Sequence, residues 1–238
     1  LIDGDQYLYR CCSATERDVK FDDENHVLTS NEEEAWDTLV ASIGEVQKHF
    51  AVADVVIAHG SSPYFRHKLF PDYKPKRGRK PLCYHDVLER LKKAFHCVQM
   101  DGLEADDVMG ILATHPANRD SAIIVARDKD MKGVPARLWD GMEFTNVSQE
   151  QADYFHMYQT LVGDTADGYK GCPGVGPVKA AKILDSKEPL WPRVVAAYEQ
   201  AGLTAADALL QARLARILRW SDWDTEKKEP ILWSPQEI

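Results

Sequence analysis

Apolar residues recur along this chain at two different periods, and the change from one to the other divides it into two kinds of region. Leu1-Ile2 runs into Asp3-Gly4-Asp5, the pattern of a buried strand with a carboxylate at its C-terminal tip, and a helix through Tyr7 and Leu8 follows. Residues 16–34 are charged and poor in apolar groups, which predicts a surface loop. Trp36, Leu39, Val40, Ile43, Val46 and Phe50 then repeat at helical spacing. Short apolar runs predict strands at 53–58, 96–100 and 121–126, with helices near 84–95 and 104–114. Strands alternating with helices specify an α/β fold, a mainly parallel twisted sheet flanked by helices. From about residue 148 the strand signal fades. Helices at 148–162, 177–185, 190–201 and 205–219 then make 148–238 a helical region after a sheet region of 1–147, and no internal repeat is visible.

Carboxylates fall at suggestive places on this framework. Glu104-Ala105-Asp106-Asp107 opens a helix, where the macrodipole tolerates negative charge. Asp128-Lys129-Asp130 follows the strand at 121–126, and Asp164 and Asp167, three residues apart, project from one face of a turn. Each has an ordinary alternative: an Asp at a helix start is commonly an N-cap, and only the conjunction with Asp3 argues for more. Eight such groups brought together by the βα order would repel by roughly 1 to 4 kcal/mol per neighbouring pair. A cluster of this kind requires cations, and oxygen ligands without Cys or His suit Mg²⁺ or Mn²⁺ rather than zinc. Two such ions about 4 Å apart would serve phosphodiester hydrolysis.

Behind Asp164 and Asp167, the stretch from Gly163 to Leu184 reads GDTADGYKGCPGVGPVKAAKIL. Pro173-Gly174-Val175-Gly176-Pro177 predicts a tight turn, and the amides of Gly176 to Lys179 open a helix carrying Lys179 and Lys182. Glycines before a helix often serve only a turn or a C-cap. Their place between a carboxylate pair and an apolar helix makes them the hairpin of a helix-hairpin-helix at about 163–185, which grips phosphates without reading bases.

Composition sharpens the picture in two respects. A formal charge of −9 with 38 acidic residues argues against a general polyanion binder, so any basic surface must be local. It lies at 66–80, where Arg66, Lys68, Lys74, Lys76, Arg77, Arg79 and Lys80 face only Asp72. A run of this kind is commonly a solvated loop. Here it follows a strand whose tip borders the acids, which makes Lys74 and Arg77 candidates for contacting a scissile phosphate. The five cysteines form no C-x-x-C pair, so neither a disulfide frame nor a zinc site is expected and a reducing cytoplasm fits. No apolar run approaches a membrane span.

Taken together, Asp3, Phe65-Arg66, Tyr73-Lys74-Pro75-Lys76-Arg77, Glu104-Ala105-Asp106-Asp107, Asp128-Lys129-Asp130 and Gly163-Asp164-x-x-Asp167 before Gly174-Val175-Gly176 resemble, in kind and order, the structure-specific 5′ nucleases. That family includes the flap endonucleases and the stand-alone bacteriophage 5′-3′ exonucleases. The resemblance spans roughly residues 1–185. It implies a PIN-like catalytic domain at 1–147, a basic arch segment at about 66–95, and a helical DNA-binding region at 148–238. It further implies a metal-dependent 5′-3′ exonuclease or flap endonuclease acting on duplex DNA with a free 5′ end or 5′ flap, and on the RNA of an RNA:DNA hybrid. By the same resemblance Asp3, Glu104 and Asp106, with Asp107 nearby, hold one Mg²⁺ (or Mn²⁺), and Asp128, Asp130, Asp164 and Asp167 hold the second. Lys74 and Arg77 stand at the base of the arch. Arg66, Tyr73, Gly174, Gly176, Lys179 and Lys182 are expected to contact nucleic acid, with a K⁺ ion at the hairpin. A monomer in the cytoplasm (the host's, if phage-encoded), working in DNA replication beside a replication partner or in DNA degradation, completes the expectation.

The sequence departs from the family at one point. Where another acid often follows the second strand, this chain reads Ala58-His59-Gly60-Ser61-Ser62, without a carboxylate. Two other readings compete. Asp3-x-Asp5 resembles the nucleophile motif of haloacid-dehalogenase-type phosphatases, although their distal metal motif should follow a strand rather than a helix. A catalytically inactive, structure-specific DNA-binding protein rests on the missing acid alone.

Overall fold

The computed structural model describes residues 1–238 apart from 23–24, 53, 76–77, 186–188 and 236–238. The chain opens with β1 (Ile2–Asp3), and Asp3 ends the strand by capping α1 (Gly4–Ala14), its carboxylate accepting from the Gln6 amide at 2.9 Å. Residues expected as a plain loop instead form a hairpin of β2 (Arg17–Lys20) and β3 (His26–Thr29), exposed along its whole length. Asn31 caps α2 (Glu32–Phe50), and its apolar spacing places Leu39, Ile43 and Val46 inside. β4 (Val56–His59), α3 (Phe65–Leu69), α4 (Tyr84–Ala94), β5 (His96–Gln99) and α5 (Ala105–Thr114) follow.

After β6 (Ile123–Val125), a 3₁₀ turn at Lys129–Gly133 leads to β7 (Arg137–Trp139) and β8 (Phe144–Asn146). From Gln149 onward come α6 (Gln149–Val162), α7 (Pro177–Leu184), α8 (Leu190–Gln200) and α9 (Ala205–Ala215). A small ribbon of β9 (Trp223–Asp224) and β10 (Glu229–Pro230) closes the described chain. α9 stops at Ala215, short of the expected 219, because Arg216 turns extended.

Among the described residues, six strands form one sheet in the order β5-β4-β1-β6-β7-β8, parallel except for the last pair. Successive strand residues point to opposite faces, so Ile2, Ile57 and Val125 pack with α1, α2 and α4. Ala58 and Ile124 pack with α5 on the other face, where Trp220, Trp223 and Leu232 of the C-terminal segment also lie. A further core joins α6 through α9 around Leu161, Val175, Leu184 and Tyr198, with Trp233 against it. The tryptophan-containing tail therefore packs on the protein. In a parallel sheet all strands point their carboxyl ends to the same edge, and β1, β4 and β6 deliver Asp3, His59 and the 126–130 segment there. No helix among the described residues is long and apolar enough to cross a membrane.

Candidate active site

Four segments bring acids to this edge. Asp3 ends β1 and is 6% exposed. Burial, then the nearby charges of Asp5 and Asp128, push its carboxyl up to about 6 despite the Gln6 hydrogen bond. Glu104 caps α5, and Asp106 sits on that helix's first turn. Burial and the neighbouring Asp3, Asp128 and Glu104 hold the Asp106 proton far above the ordinary carboxylate range. After β6, Asp128 turns the chain by accepting from the Asp130 amide at 2.8 Å. Burial and Asp128 raise Asp130 to about 7, while Gln159 of α6 donates to it at 2.6 Å.

The fourth segment depends on a close backbone approach. Gly163 and Gly171 both have positive φ, and a Cβ on Gly163 would lie 2.4 Å from the Lys170 carbonyl carbon. This crossing folds 164–170 into a loop in which the Asp164 amide donates to the Tyr169 carbonyl at 2.8 Å. Asp164 accepts from the amides of Ala166 and Asp167 and from the Lys129 ammonium, the last at 2.8 Å. Burial works against its charge, but Lys129 and those amides outweigh it and leave the carboxyl below its usual range. Burial and Glu104 instead raise Asp167, against the pull of Lys74.

Electrostatically the acids fall into two overlapping sets. Asp3 and Glu104 both act on Asp106, Asp130 is acted on by Asp164 and Asp167, and Asp128 bears on Asp3, Asp106 and Asp130. Two lysines are interleaved. Lys74 reaches Glu104 at 2.6 Å and Asp167 at 3.3 Å, and Lys129 lies between Asp164 and Asp130 at 2.8 and 3.9 Å. Among the described residues, no three acidic side chains close on a common point. The Tyr73 hydroxyl lies 2.9 Å from both Glu104 Oε2 and Asp167 Oδ2, with one proton to donate between them.

Three expectations are corrected by packing. Arg66 is not on a nucleic-acid surface: it is 1% exposed, forked onto Asp107 at 2.6 and 2.8 Å, and bonded to Glu104 at 2.9 Å. Its remaining donors meet the carbonyls of Leu214 and Arg216 at the end of α9. Asp107 is fully buried in that fork, shares the guanidinium with Glu104, and also accepts from the Leu218 amide. Tyr73 is 3% exposed and faces Glu104 and Asp167 instead of solvent. Arg77 lies outside the described residues. Gly174, Gly176, Lys179 and Lys182 are exposed, with Gly174 at positive φ and α7 opening at Pro177, as a hairpin offering its amides requires.

Sequence reasoning did not select Asp5, His59 or Lys129. Asp5 accepts from the Tyr84 hydroxyl at 3.0 Å and the Gly60 amide at 3.2 Å. Burial opposes its charge, but His59, Lys80 and Tyr84 prevail and keep it ionised below the ordinary range. The D-x-D after β1 was its visible signal. Lys129 stood inside D-K-D, and His59 offered none.

Comparison with known proteins agrees along the whole chain. The model of the 5′-3′ exonuclease N-terminal resolvase-like domain matches residues 1–154. The chain is 31% identical to the exodeoxyribonuclease of Enterobacteria phage T3, over 99% of its own length and 92% of that protein. It is 30% identical to the exonuclease of Escherichia phage T7, over 99% and 93%. The flap endonuclease Xni of Shewanella pealeana is 32% identical over 57% of this chain and 59% of its own. Among solved structures, the bacteriophage T5 flap endonuclease with DNA and metal ions aligns with a TM-score of 0.62 at 14% identity, covering 91% of this chain and 88% of that one. The catalytic core of Rad2 with a DNA substrate gives 0.53 at 12% identity, over 98% and 81%. At such identities these two structures speak for the fold alone.

Proposed function

This chain belongs to the 5′-3′ exonuclease family, and from that premise we infer that it hydrolyses DNA phosphodiesters as a 5′-3′ exonuclease and structure-specific flap endonuclease. Its fold is the PIN-like one. The haloacid-dehalogenase reading falls with the family, and Asp164 follows α6 rather than a strand.

The observation that carries the chemistry is the gathering of Asp3, Glu104, Asp106, Asp128, Asp130, Asp164 and Asp167 at one sheet edge, where burial first and then mutual repulsion raise the carboxyls of Asp3, Asp106 and Asp130 above the ordinary range. An all-oxygen set in that state fits hard divalent cations, which relieve the repulsion. We assign Asp3, Glu104 and Asp106 to one Mg²⁺ or Mn²⁺ and Asp130, Asp164 and Asp167 to a second, with Asp128 in the second set and beside the first. Asp107 is left out because Arg66 and the Leu218 amide occupy its oxygens. When bound, such a pair supplies Lewis acidity that lowers the pKa of a water and neutralises charge on a phosphodiester.

The chain's own groups do the positioning. Lys74, 14% exposed at its side chain, stands at the rim with its ammonium on Glu104 and is placed to meet a phosphate oxygen. Tyr73 holds Glu104 and Asp167 from below. The amides of Gly176, Val178 and Lys179 at this exposed helix start, with the Lys179 and Lys182 side chains, take the duplex backbone without reading sequence. A K⁺ ion at this hairpin belongs to the same proposal.

The test is cleavage of a 5′-labelled flap duplex and a matched blunt duplex, with Mg²⁺ and with excess chelator. Mg²⁺-dependent release of short 5′ products or whole flaps is expected, and Asp128→Ala should abolish it while leaving DNA binding intact. Binding to the flap without cleavage in Mg²⁺ or Mn²⁺ would overturn the enzymatic reading.

A further inference from the structure

The strand end that lacks an acid is where Asp5 arrives. β4 finishes at His59, and no carboxylate follows at Gly60-Ser61-Ser62. A Cβ placed on Gly60 would lie 3.0 Å from Asp5 Oδ2 and 3.1 Å from the Tyr64 hydroxyl, so the Asp5 carboxylate and the Tyr64 ring together fill the space that a side chain at position 60 would enter. Two bonds fix it there, from the Gly60 amide to Oδ2 and from the Tyr84 hydroxyl to Oδ1. Its side chain remains 28% exposed, so one flank of the carboxylate stays open.

A second observation points to the same place. His59 is 1% exposed, and among the described residues neither of its ring nitrogens has a hydrogen-bond partner. Nδ1 lies 3.5 Å from Asp5 Oδ1, and the ring packs so tightly on the start of α1 that a Cβ on Gly4 would come within 2.4 Å of Cε1. A buried imidazole whose nearest polar partner is a carboxylate at 3.5 Å costs free energy that the fold must offset, and here the ring at the tip of β4 abuts Asp5. Tyr84 backs the other side, under the Lys80 ammonium 4.0 Å above its ring. Among the described residues, the charged and titratable groups around Asp5 include Asp3, His59, Lys80 and Tyr84, with the Tyr64 hydroxyl beside them at Gly60.

We propose that Asp5 supplies, from the first turn of α1, the carboxylate that the end of β4 does not carry, and that it helps hold the first divalent ion beside Asp3. Gly60 permits the arrangement by leaving the space free, and His59 and Tyr84 aim the side chain. The inference rests on the two-ion reading above and deepens it: the acid is displaced from one strand tip to the neighbouring one.

The experiment measures Mn²⁺ binding directly, by the loss of the free-ion electron paramagnetic resonance signal, alongside thermal unfolding. Asp5→Asn keeps the size of the side chain and a hydrogen-bond acceptor but removes the charge, and should weaken one class of Mn²⁺ sites by about tenfold or more. Asp5→Ala should weaken it likewise, and the double variant Asp5→Ala, Gly60→Asp should recover most of the affinity by returning an acid to the β4 tip. Gly60→Ala, which crowds the carboxylate without removing it, should weaken binding severalfold and serves if Asp5→Asn fails to fold. A folded Asp5→Asn protein with unchanged Mn²⁺ affinity, or a double variant no better than Asp5→Ala, overturns the proposal. Failure of the unsubstituted protein to bind Mn²⁺ overturns the two-ion reading itself, which separates the two failures.

Discussion

Replacing Asp3 by Asn should make the protein more stable while removing its activity. The side chain is 6% exposed, and its carboxyl is raised from an ordinary 3.8 to about 6, chiefly by burial and then by Asp5 and Asp128. At pH 8 the folded protein must carry this charge at a cost of about 3 kcal/mol relative to the unfolded chain. The sign follows from the two protonation midpoints. Below about 3.8 both states are protonated and the group costs nothing. Between 3.8 and 6 the unfolded chain releases its proton first, and the cost accumulates until it is complete above 6. Asn keeps the cap on the Gln6 amide, so the helix start survives. For a chain of this length, 3 kcal/mol corresponds to a rise in Tm of roughly 6–12 °C. Thermal unfolding by circular dichroism in chelator should show that gain at pH 8, shrink it by pH 5 and lose it near pH 4. Added Mg²⁺ should narrow the gap at pH 8 by stabilising the unsubstituted protein. Equal Tm values at pH 8 in chelator, or a gain as large at pH 4 as at pH 8, would refute the argument that repulsion and burial set the state of this site.

Two other outcomes follow from the corrected residues and from the hairpin. Arg66→Met leaves Glu104 and Asp107 buried without their guanidinium partner, and should cost about 3–5 kcal/mol in urea unfolding, well beyond a surface substitution. Lys179→Ala leaves the acid edge alone; DNA binding should weaken uniformly across sequences and its salt slope fall by about one, as fluorescence anisotropy at several salt concentrations would show.

The parts of the fold that bury an apolar stripe could be read in advance, because burial leaves a period in the sequence. Leu39, Ile43 and Val46 announced α2, and the apolar run through Ile57 and Ala58 announced β4. The β2–β3 hairpin buries nothing, so it wrote no alternation into residues 16–34. β7 and β8 are three residues each, too short to show a period. At the site, a carboxylate at a strand end or helix start was legible by position. Its partner was not, since nothing local says that Arg66 turns inward to meet the carbonyls of a helix 148 residues later. One signal was available and unused. Adjacent residues on a helix point about 100° apart, so Asp106 and Asp107 part, and Asp107 takes the Arg66 fork.

Arg66 also decides how the chain can be cut. Its guanidinium lies under α5, yet two of its bonds end on the carbonyls that close α9, and Asp107 takes the Leu218 amide from the same stretch. The acid edge is thus locked by a clasp whose catch lies near the far end of the polypeptide. A fragment stopping at residue 147 would retain six of the eight acids in its sequence and lose the catch. What such a piece inherits is the list of reacting groups without the masonry that sets them, so the smallest unit that can be shuffled, grafted or engineered as a nuclease here extends past residue 218.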